Sequence, residues 1–512
     1  MRKEMRKFIV LSLLSILIMA FSATVNAQNL EFKASGYLDI QSYWFRNIPT
    51  TTNTNPVDIL GQIYGRLDPI YTIPHQKAYD RTNAYMGSRG RLQFDAVMGK
   101  ELSGTIYFEM DSNRWGDIEG SSKAGSLQKN TFGYWTADRA AIEIKNVYID
   151  FGTPYIGIPA PITVRVGLQP LAIRPNMVVY TDGMGITAGI RIDPVTIAPL
   201  WFKALEGKDA SADDADVYGL HVIAKLQQFT IGGYGLYYNM NTYPFNFVTE
   251  TYGSNPTNQA DMWWWGVYTD GKLGPVDFNF DLVFDRGKVV KEHGTPAPDV
   301  KYSGWATRIK VDYPWEKFNF GVVGMYASGA DARKTSTFGF PGDSTASGTL
   351  STKVSSYVIP PGSEEYGGFF EGVGLFYPSW VNNGNTSFSV PTATTMVRGA
   401  VGGSWMVKLY GSYKVAPIYK ITLQGIYIGD TTKHGNTAGT AVKTNGQLRD
   451  DKTIGLELGL IHEIFIYKNL KWNIGAGILL AGDALDYKMT GVNANDSPKN
   501  PWIITSRLVY NF

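Results

Sequence analysis

Val276-Asp277-Phe278-Asn279-Phe280-Asp281-Leu282-Val283-Phe284-Asp285 decides the fold. Val276, Phe278, Phe280, Leu282 and Phe284 fall on one phase, and Asp277, Asn279, Asp281 and Asp285 on the other. Successive side chains of a strand point to opposite faces, so this is a strand with one oily and one wet side. If the wet side met lipid, three carboxylates would enter hydrocarbon. There, Arg or Lys at the midplane costs about 2–4 kcal/mol and Asp or Glu somewhat less. The next such segment, 301–312, poses the same choice with Arg308 and Lys310. Both accept only the phase that sends charge toward water.

The pattern recurs along the chain. It opens at Phe32, Ala34, Gly36, Leu38 and Ile40, alternating with Glu31, Lys33, Ser35, Asp39 and Gln41, and closes at Trp502, Ile504, Leu508, Tyr510 and Phe512. Strands are predicted at 30–45, 88–98, 101–112, 139–152, 161–168, 184–193, 196–206, 216–227, 229–240, 261–272, 276–286, 301–312, 318–328, 396–413, 418–429, 452–467, 470–482 and 501–512. Two resist. Ile142 and Ile144 are out of phase with Val147, Ile149 and Phe151, which a β-bulge near Asn146 would reconcile. Segment 229–240 alternates poorly, so sixteen strands stand as the alternative to eighteen. Short connections such as Gly99-Lys100, Gln227-Gln228 and Lys468-Asn469 take turns with long ones at 46–87, 113–138, 169–183, 207–215, 241–260, 287–300, 329–395, 430–451 and 483–500. Tight turns at one end, long loops at the other and an even strand count describe an all-β, antiparallel up-and-down transmembrane barrel with both termini on the short-turn side. Trp and Tyr near strand ends fit two interfacial girdles.

Composition agrees. The chain has 512 residues, 13% aromatic, with 56 Gly and no Cys. Lys plus Arg is 47 and Asp plus Glu is 45, a net charge of +2, which gives no electrostatic case for binding nucleic acid. Without Cys there is no disulfide framework, thiolate metal site or thiol nucleophile. Mean hydropathy is −0.14, unlike a bundle of membrane helices. Arg2, Lys3, Arg6 and Lys7, the apolar run 8–21 and Val25-Asn26-Ala27 make a signal peptide over 1–27, leaving 28–512 as one barrel domain.

On the signal peptide, the strand–turn–strand–loop rhythm and the closing Arg507-Leu508-Val509-Tyr510-Asn511-Phe512, the chain resembles Gram-negative outer-membrane porins. Lys145-Asn146-Val147-Tyr148-Ile149-Asp150-Phe151 with Arg165-Val166-Gly167-Leu168-Gln169 looks like the paired strands of porin-type and alginate-export-type barrels. The resemblance implies residence in the outer membrane among lipid and lipopolysaccharide. It also implies that Leu508, Tyr510 and Phe512 form the signal read by the barrel-assembly machinery, that small hydrophilic solutes diffuse through, and that the assembly is a homotrimer.

A barrel of this size encloses water, and charges on its inner wall set selectivity. The inward phase assigns Arg91, Asp95, Glu109, Asp111, Glu143, Lys145, Arg165, Arg191, Lys203, Asp277, Asp281, Asp285, Arg308 and Lys310 to the pore. Arg165, Arg191 and Lys203 could form a basic wall facing an acidic one of Glu109, Asp111 and Glu143; scattered charges solvating a wide lumen are the blander reading. An inward-folded constriction loop is expected among 46–87, 113–138 and 169–183, the last carrying Arg174 and Asp182 between Pro170 and Pro175. The longest loop, 329–395, carries Tyr366, Phe369, Phe370, Phe376, Tyr377 and Trp380; lid or protomer contact ranks above a sugar-stacking track.

No cofactor motif is present. Asp209, Asp213, Asp214 and Asp216 lack EF-hand spacing and read as a solvated loop. The five histidines share no metal-ligand spacing. The leading expectation is a passive channel. A channel specific for a sugar or anionic polysaccharide is the alternative, with an outer-membrane enzyme or adhesin behind it; no catalytic constellation can be assembled. N-terminal sequencing of the exported protein is expected to start at Gln28, and a retained apolar run would reject the signal-peptide reading.

Overall fold

The computed structural model describes residues 30–47, 82–112, 115, 142–153, 160–175, 177–206, 214–243, 258–291, 299–331, 353–360, 373, 375, 402–437, 439, 441–488 and 494–512. Within these residues eighteen strands form one closed antiparallel barrel. They are β1 (Leu30–Arg46), β2 (Thr82–Met98), β3 (Leu102–Ser112), β4 (Glu143–Gly152), β5 (Ile162–Ile173), β6 (Val179–Ile192), β7 (Val195–Leu205), β8 (Ala215–Lys225) and β9 (Phe229–Tyr243). The wall continues through β10 (Asn258–Leu273), β11 (Val276–Lys291), β12 (Trp305–Trp315), β13 (Phe318–Ala327), β14 (Ser404–Ala416), β15 (Tyr419–Asp430), β16 (Thr453–Tyr467), β17 (Leu470–Ala481) and β18 (Trp502–Asn511). The one helical piece among the described residues is the single turn Asp483–Leu485. The segments 1–27, 48–81 and 116–141 lie outside the described residues.

Each strand pairs with its sequence neighbour, and β18 returns to β1 in register from Tyr37↔Asn511 to Arg46↔Trp502. The seam is fastened twice. Gly36 and Phe512 exchange backbone hydrogen bonds of 2.9 and 3.0 Å. A Cβ on Gly36 would lie 2.3 Å from the Arg91 carbonyl and 3.0 Å from the Phe512 ring, so only glycine allows the closing aromatic to settle there. On the other phase, the Arg507 guanidinium donates to the buried Asp39 carboxylate at 2.8 and 2.9 Å.

Exposure separates the faces. Leu38, Ile40, Phe94, Ile149, Val267, Ile309, Leu409 and Leu423 are exposed and share one phase of their strands. Asp39, Gln41, Thr105, Asp281, Arg308, Gln424, Glu457 and Thr505 are buried on the other. The first is the oily outer surface and the second faces the lumen. An aromatic belt rings the outer surface near the long-loop end, including the stacked pairs Tyr237–Trp263, Trp265–Phe284 and Trp305–Tyr326, with centroids 4.5, 4.4 and 4.9 Å apart.

The difficult segments have physical explanations. In β4 the register slips between Ile144 and Asn146, so Lys145 is the extra residue and both apolar groups face outward. In β9 the inward Leu236, Tyr238 and Met240 are buried as thoroughly as any core residue. Alternation fails there because the inner face is covered by protein rather than water, and the count is eighteen. The same observation corrects the expectation of a wholly wet interior. Val217, Met262, Val283, Val323, Met406 and Ile426 also point inward and are buried.

Replacing Asp39 with Ala leaves a guanidinium without its carboxylate at the seam. A hydrogen bond to a charged group contributes about 1.5–3 kcal/mol. The urea midpoint of the refolded barrel should fall accordingly, and an unchanged midpoint would mean that backbone pairing alone closes the cylinder.

Candidate functional site inside the barrel

Two segments leave the wall and enter the lumen. The first is the distal half of the β5–β6 hairpin. These strands pair with each other from Ile162↔Ile190 to Ile173↔Val179. Their outer partners release them early: β4 pairs with β5 only as far as Val147↔Leu168, and β7 with β6 only as far as Met184↔Lys203. Beyond Leu168 the hairpin's ladder pairing runs only between its own two strands, and it bends inward. Segment 169–183, expected as a loop, is therefore mostly strand. Its turn is tight, with Met177 and Val178 N–H groups donating to the Arg174 carbonyl at 2.8 and 2.9 Å. Asp182 at its base accepts from Lys145 at 2.5 Å and Asn146 at 2.6 Å.

At the tip, Arg174 spans to the opposite wall. Its guanidinium donates to Asp270 at 2.9 Å and to Asp281 at 2.8 Å, with a second bond from Nε to Asp281, and lies 4.2 Å over the Tyr268 ring. Burial works against this charge, but the bonds and fields of Asp281 and Asp270 outweigh it and raise the pKa above ordinary arginine. The cation is permanent. Arg174 has φ +44°, a region that costs a non-glycine residue on the order of 1–3 kcal/mol and persists only when surroundings dictate it. Two carboxylates gripping one side chain supply that dictate. Asn279 donates to Asp270 and accepts from Arg308 at 2.8 Å, and His221 bonds the Tyr268 hydroxyl at 2.9 Å.

The second intruder is the connection between β13 and β14, described at 353–360, 373 and 375. Asp285 on β11 accepts the Gly304 N–H at 2.7 Å on one oxygen and the Val358 N–H at 3.0 Å on the other. Trp264, the middle tryptophan of Trp263-Trp264-Trp265, turns inward and donates to the Val358 carbonyl at 2.7 Å. A Cβ on Gly304 would lie 2.4 Å from the Tyr357 backbone, so this approach requires glycine. Tyr357 donates to the Met177 carbonyl at 2.5 Å and ties the two intruders together. Burial, foremost, and the nearby Tyr234, Asp285 and Asp281 raise its phenol well above the ordinary value, so it remains a donor. Across the barrel, Glu457 on β16 accepts the Val373 N–H at 2.7 Å. Gly459 and Gly477 beside it leave room for the Val373 side chain, which a Cβ would meet at 2.6 and 3.0 Å. The same connection is thus held by carboxylates on two separate stretches of wall. Tyr366, Phe369, Phe370, Phe376, Tyr377 and Trp380 lie outside the described residues.

The charged inward groups meet opposite charge or hydrogen-bond partners. Glu109 pairs with Arg91 and lies 3.7 Å from Arg89. Asp95 accepts from Thr105 at 2.6 Å. Arg165 donates to Asp150 at 2.7 and 2.9 Å over the Tyr148 ring. Lys272 lies 3.2 Å from Asp277, and Lys310 3.2 Å from Asp312. Glu463 binds Lys420 and Lys471. Glu143 stands opposite Glu109, and Arg191 lies at the short-turn end on the inward phase. The side chain of Asp111 lies outside what is described.

Lys203 is a correction. Its neighbour Phe202 packs inward against Gly183 and Gly185, so Lys203 takes the outward phase of Trp201 and Tyr218, where it meets Asp216 at 3.1 Å and Asp214 at 3.5 Å. Arg165, Arg191 and Lys203 therefore do not share a wall. The proposed acidic wall also fails as a uniform field, because Arg89 and Arg91 sit on Glu109. Asp214 and Asp216 are ion-pair partners, Asp209 and Asp213 lie outside the described residues, and no metal-binding cluster is found among the described residues. Sequence reasoning missed Glu457, Asp270 and Asp39. A signal for Glu457 existed: it is the one charge in Ile454-Gly455-Leu456-Glu457-Leu458-Gly459-Leu460.

No family model matches the chain, and no curated protein matches it. Among solved structures it is similar to a BenF-like porin from Pseudomonas fluorescens Pf-5, with 10% identity over 94% of this chain and 98% of that one and a TM-score of 0.47. It is also similar to Pseudomonas aeruginosa OpdQ, with 9% identity over 94% and 97% and a TM-score of 0.48. A third is Pseudomonas aeruginosa OccK2 (OpdF) in complex with glucuronate, with 8% identity over 94% and 98% and a TM-score of 0.47.

Removing both anchoring carboxylates, Asp285→Ala with Glu457→Ala, should free the β13–β14 connection. Charge-assisted bonds of about 1.5–3 kcal/mol each correspond to roughly tenfold or more in local opening. Limited proteolysis between 329 and 403 should accelerate by that factor, and an unchanged rate would assign the anchoring to apolar packing.

Proposed function

We propose that this chain is a porin-type channel of a Gram-negative outer membrane, conducting small hydrophilic solutes through a lumen narrowed by the β5–β6 hairpin and the β13–β14 connection. The single observation that carries the reading is the opposition of the two barrel faces: exposed Leu, Ile, Val and Phe outside, and Asp39, Asp281, Arg308 and their partners inside. A soluble barrel has no use for an oily exterior, and a barrel of this strand number is wide enough for water.

The inward charges favour broad rather than strongly ionic selectivity. Arg174 and Arg308 are offset by Asp270 and Asp281, Arg91 by Glu109, and Arg165 by Asp150. Selectivity follows the surplus of one sign in a pore, and here the signs alternate. Arg91, Asp95, Glu109, Arg165, Asp277, Asp281, Arg308 and Lys310 are proposed to line the path, while Asp285 serves as an anchor. The reading is transport rather than catalysis. The described histidines His221, His434 and His462 are committed to Tyr268, Asp331 and Tyr419. Export through the 1–27 signal, assembly through Leu508, Tyr510 and Phe512, and trimerisation remain part of the proposal; native mass spectrometry reads the copy number.

The refolded full chain in a planar bilayer should give steady conductance steps with a cation-to-anion permeability ratio near unity, and Asp285→Ala with Glu457→Ala should enlarge the steps. Silence from a properly folded barrel would reject the channel. Strong selectivity for one ion sign, or block by one sugar or anion, would move the reading to the substrate-specific alternative.

A further inference from the structure

The long-loop end of β15 closes on a buried carboxyl whose hydrogen bonds do not balance if it is ionised. Asp430, the last residue of that strand, pairs with Ser404 and is 3% exposed. One oxygen accepts the Thr432 N–H at 2.7 Å; the other accepts the Thr437 N–H at 2.6 Å and lies 3.4 Å from the Asn436 amide. The Thr437 hydroxyl lies 2.9 Å from the first oxygen, 2.7 Å from the Gly403 carbonyl and 2.7 Å from the Thr432 hydroxyl. Gly403, at φ +78°, makes room for it: a Cβ there would lie 2.3 Å from that hydroxyl.

A hydroxyl has one hydrogen to give, and a carbonyl or an ionised carboxylate has none. Three close contacts on the Thr437 hydroxyl need three hydrogens. Thr432 supplies one, and Thr437 gives its own to Gly403. The third must come from Asp430. With Asp430 ionised, one contact stays without a hydrogen whichever way the hydroxyls turn, and two buried acceptors face each other. The cations of this region are engaged elsewhere. Lys452 donates to the Thr432 carbonyl at 2.6 Å and pairs with Asp450, and Arg449 meets Asp451 and Asp486 at 2.8 and 2.7 Å. His434 bonds Asp331 at 2.9 Å, and Lys433 is exposed.

The cage holds a loop that grips the root of the β13–β14 connection. The Thr431 hydroxyl donates to the Ala327 carbonyl at 2.7 Å, and the Lys433 N–H to the Ala330 carbonyl at 2.9 Å. That root also accepts the Tyr357 N–H on Ser328 and the Ser355 hydroxyl on Gly329, both at 2.9 Å. We propose that Asp430 is a proton-holding switch at the rim: protonated, it locks residues 431–437 onto the root of the connection that narrows the lumen, and deprotonated, it releases that grip. Its effect on conduction rests on the channel reading above; the switch itself does not. The sign follows from linkage. A carboxyl freed into water ionises near the ordinary value of about 3.9. Acid therefore favours the locked form, and rising pH the loosened one.

Hydrogen exchange of the refolded full chain, corrected for the intrinsic pH dependence of amides, reads the Thr432, Lys433 and Thr437 N–H groups from about pH 5 to about pH 8. Their protection should fall at least tenfold across that range, and the conductance steps should enlarge with it. Asp430→Asn, whose amide donates to Thr437 as the protonated carboxyl does, should keep the acid-side protection and the smaller step at both ends. Thr437→Val removes the hydroxyl that takes the proton and should abolish the pH dependence, which covers the case in which Asp430→Asn does not refold. His434→Gln should retain it, because the bond to Asp331 is a separate titrating contact. Constant wild-type protection across the range, loss of acid-side protection in Asp430→Asn, persistence of the pH dependence in Thr437→Val or its loss in His434→Gln would overturn the switch. Electrical silence with the pH-dependent exchange intact would reject the channel reading and leave the switch standing.

Discussion

A peptide N–H or C=O in hydrocarbon has no water to bond and costs several kcal/mol if left unpaired. That constraint dictates closure, and closure dictates much else here. Once β18 must return to β1, the register of every strand is tied to that of its neighbours, and the outward phase of each must be apolar over the bilayer's thickness. The shortest strands, of 10 residues, just suffice for the 9–11 needed to cross, and the longest, of 17, reach past the lipid into headgroups and water. Aromatic belts and ion pairs such as Lys203 with Asp214 and Asp216 occupy those ends. The seam shows how the demand is met locally. Gly36 gives up a side chain so that Phe512 can lie flat, and Asp39 and Arg507 close the wet side of the same joint.

Closing so wide a cylinder creates a second problem, because an empty lumen would leak. The solution uses the chemistry of the wall itself. Where inward residues are apolar, on β8 through β17 toward the long-loop end, the two intruding segments cover them and form a dry core within the barrel. Where they are charged, they pair across neighbouring strands. Besides this apolar packing, a few directional bonds hold the intruders: Asp285 to the Val358 N–H, Glu457 to the Val373 N–H, Trp264 to the Val358 carbonyl, and Arg174 to Asp270 and Asp281. Each joins residues far apart in sequence, so each defines where a loop must end without defining its path.

This division explains what the sequence alone could reveal. The wall was readable because period two is enforced locally, strand by strand, by the cost of a charge in lipid. The strands other than β9 follow from it, and the bulge at Lys145 announces itself as a phase slip between Ile144 and Val147. The interior was less legible because phase says that a residue points inward but not what it meets. Val283 and Asp281 share a phase in β11, yet one packs in a dry core and the other binds Arg174. β9 looked doubtful for the same reason, being apolar on both faces under a cover that comes from residues more than a hundred positions away. Lys203 is misread by charge alone because β7 is apolar on both phases, Ile197 and Trp201 on one and Leu200 and Phe202 on the other, and near the rim an outward lysine meets acids rather than hydrocarbon.

The anchors carry a further consequence for how the barrel works. Asp285 faces inward and grips the β13–β14 connection, while Arg286, the next residue, faces outward and is fastened to the Asp285 and Gly304 carbonyls. Gly304 in turn donates to Asp285, so one strand end links the inside strap to the outer surface through three bonds. Alternation makes this unavoidable, since adjacent residues of a strand always look to opposite sides. The same strand end thus carries contacts to both environments: the Val358 N–H of the strap on the inner side, and the outward Arg286 fastened to the Asp285 and Gly304 carbonyls on the other.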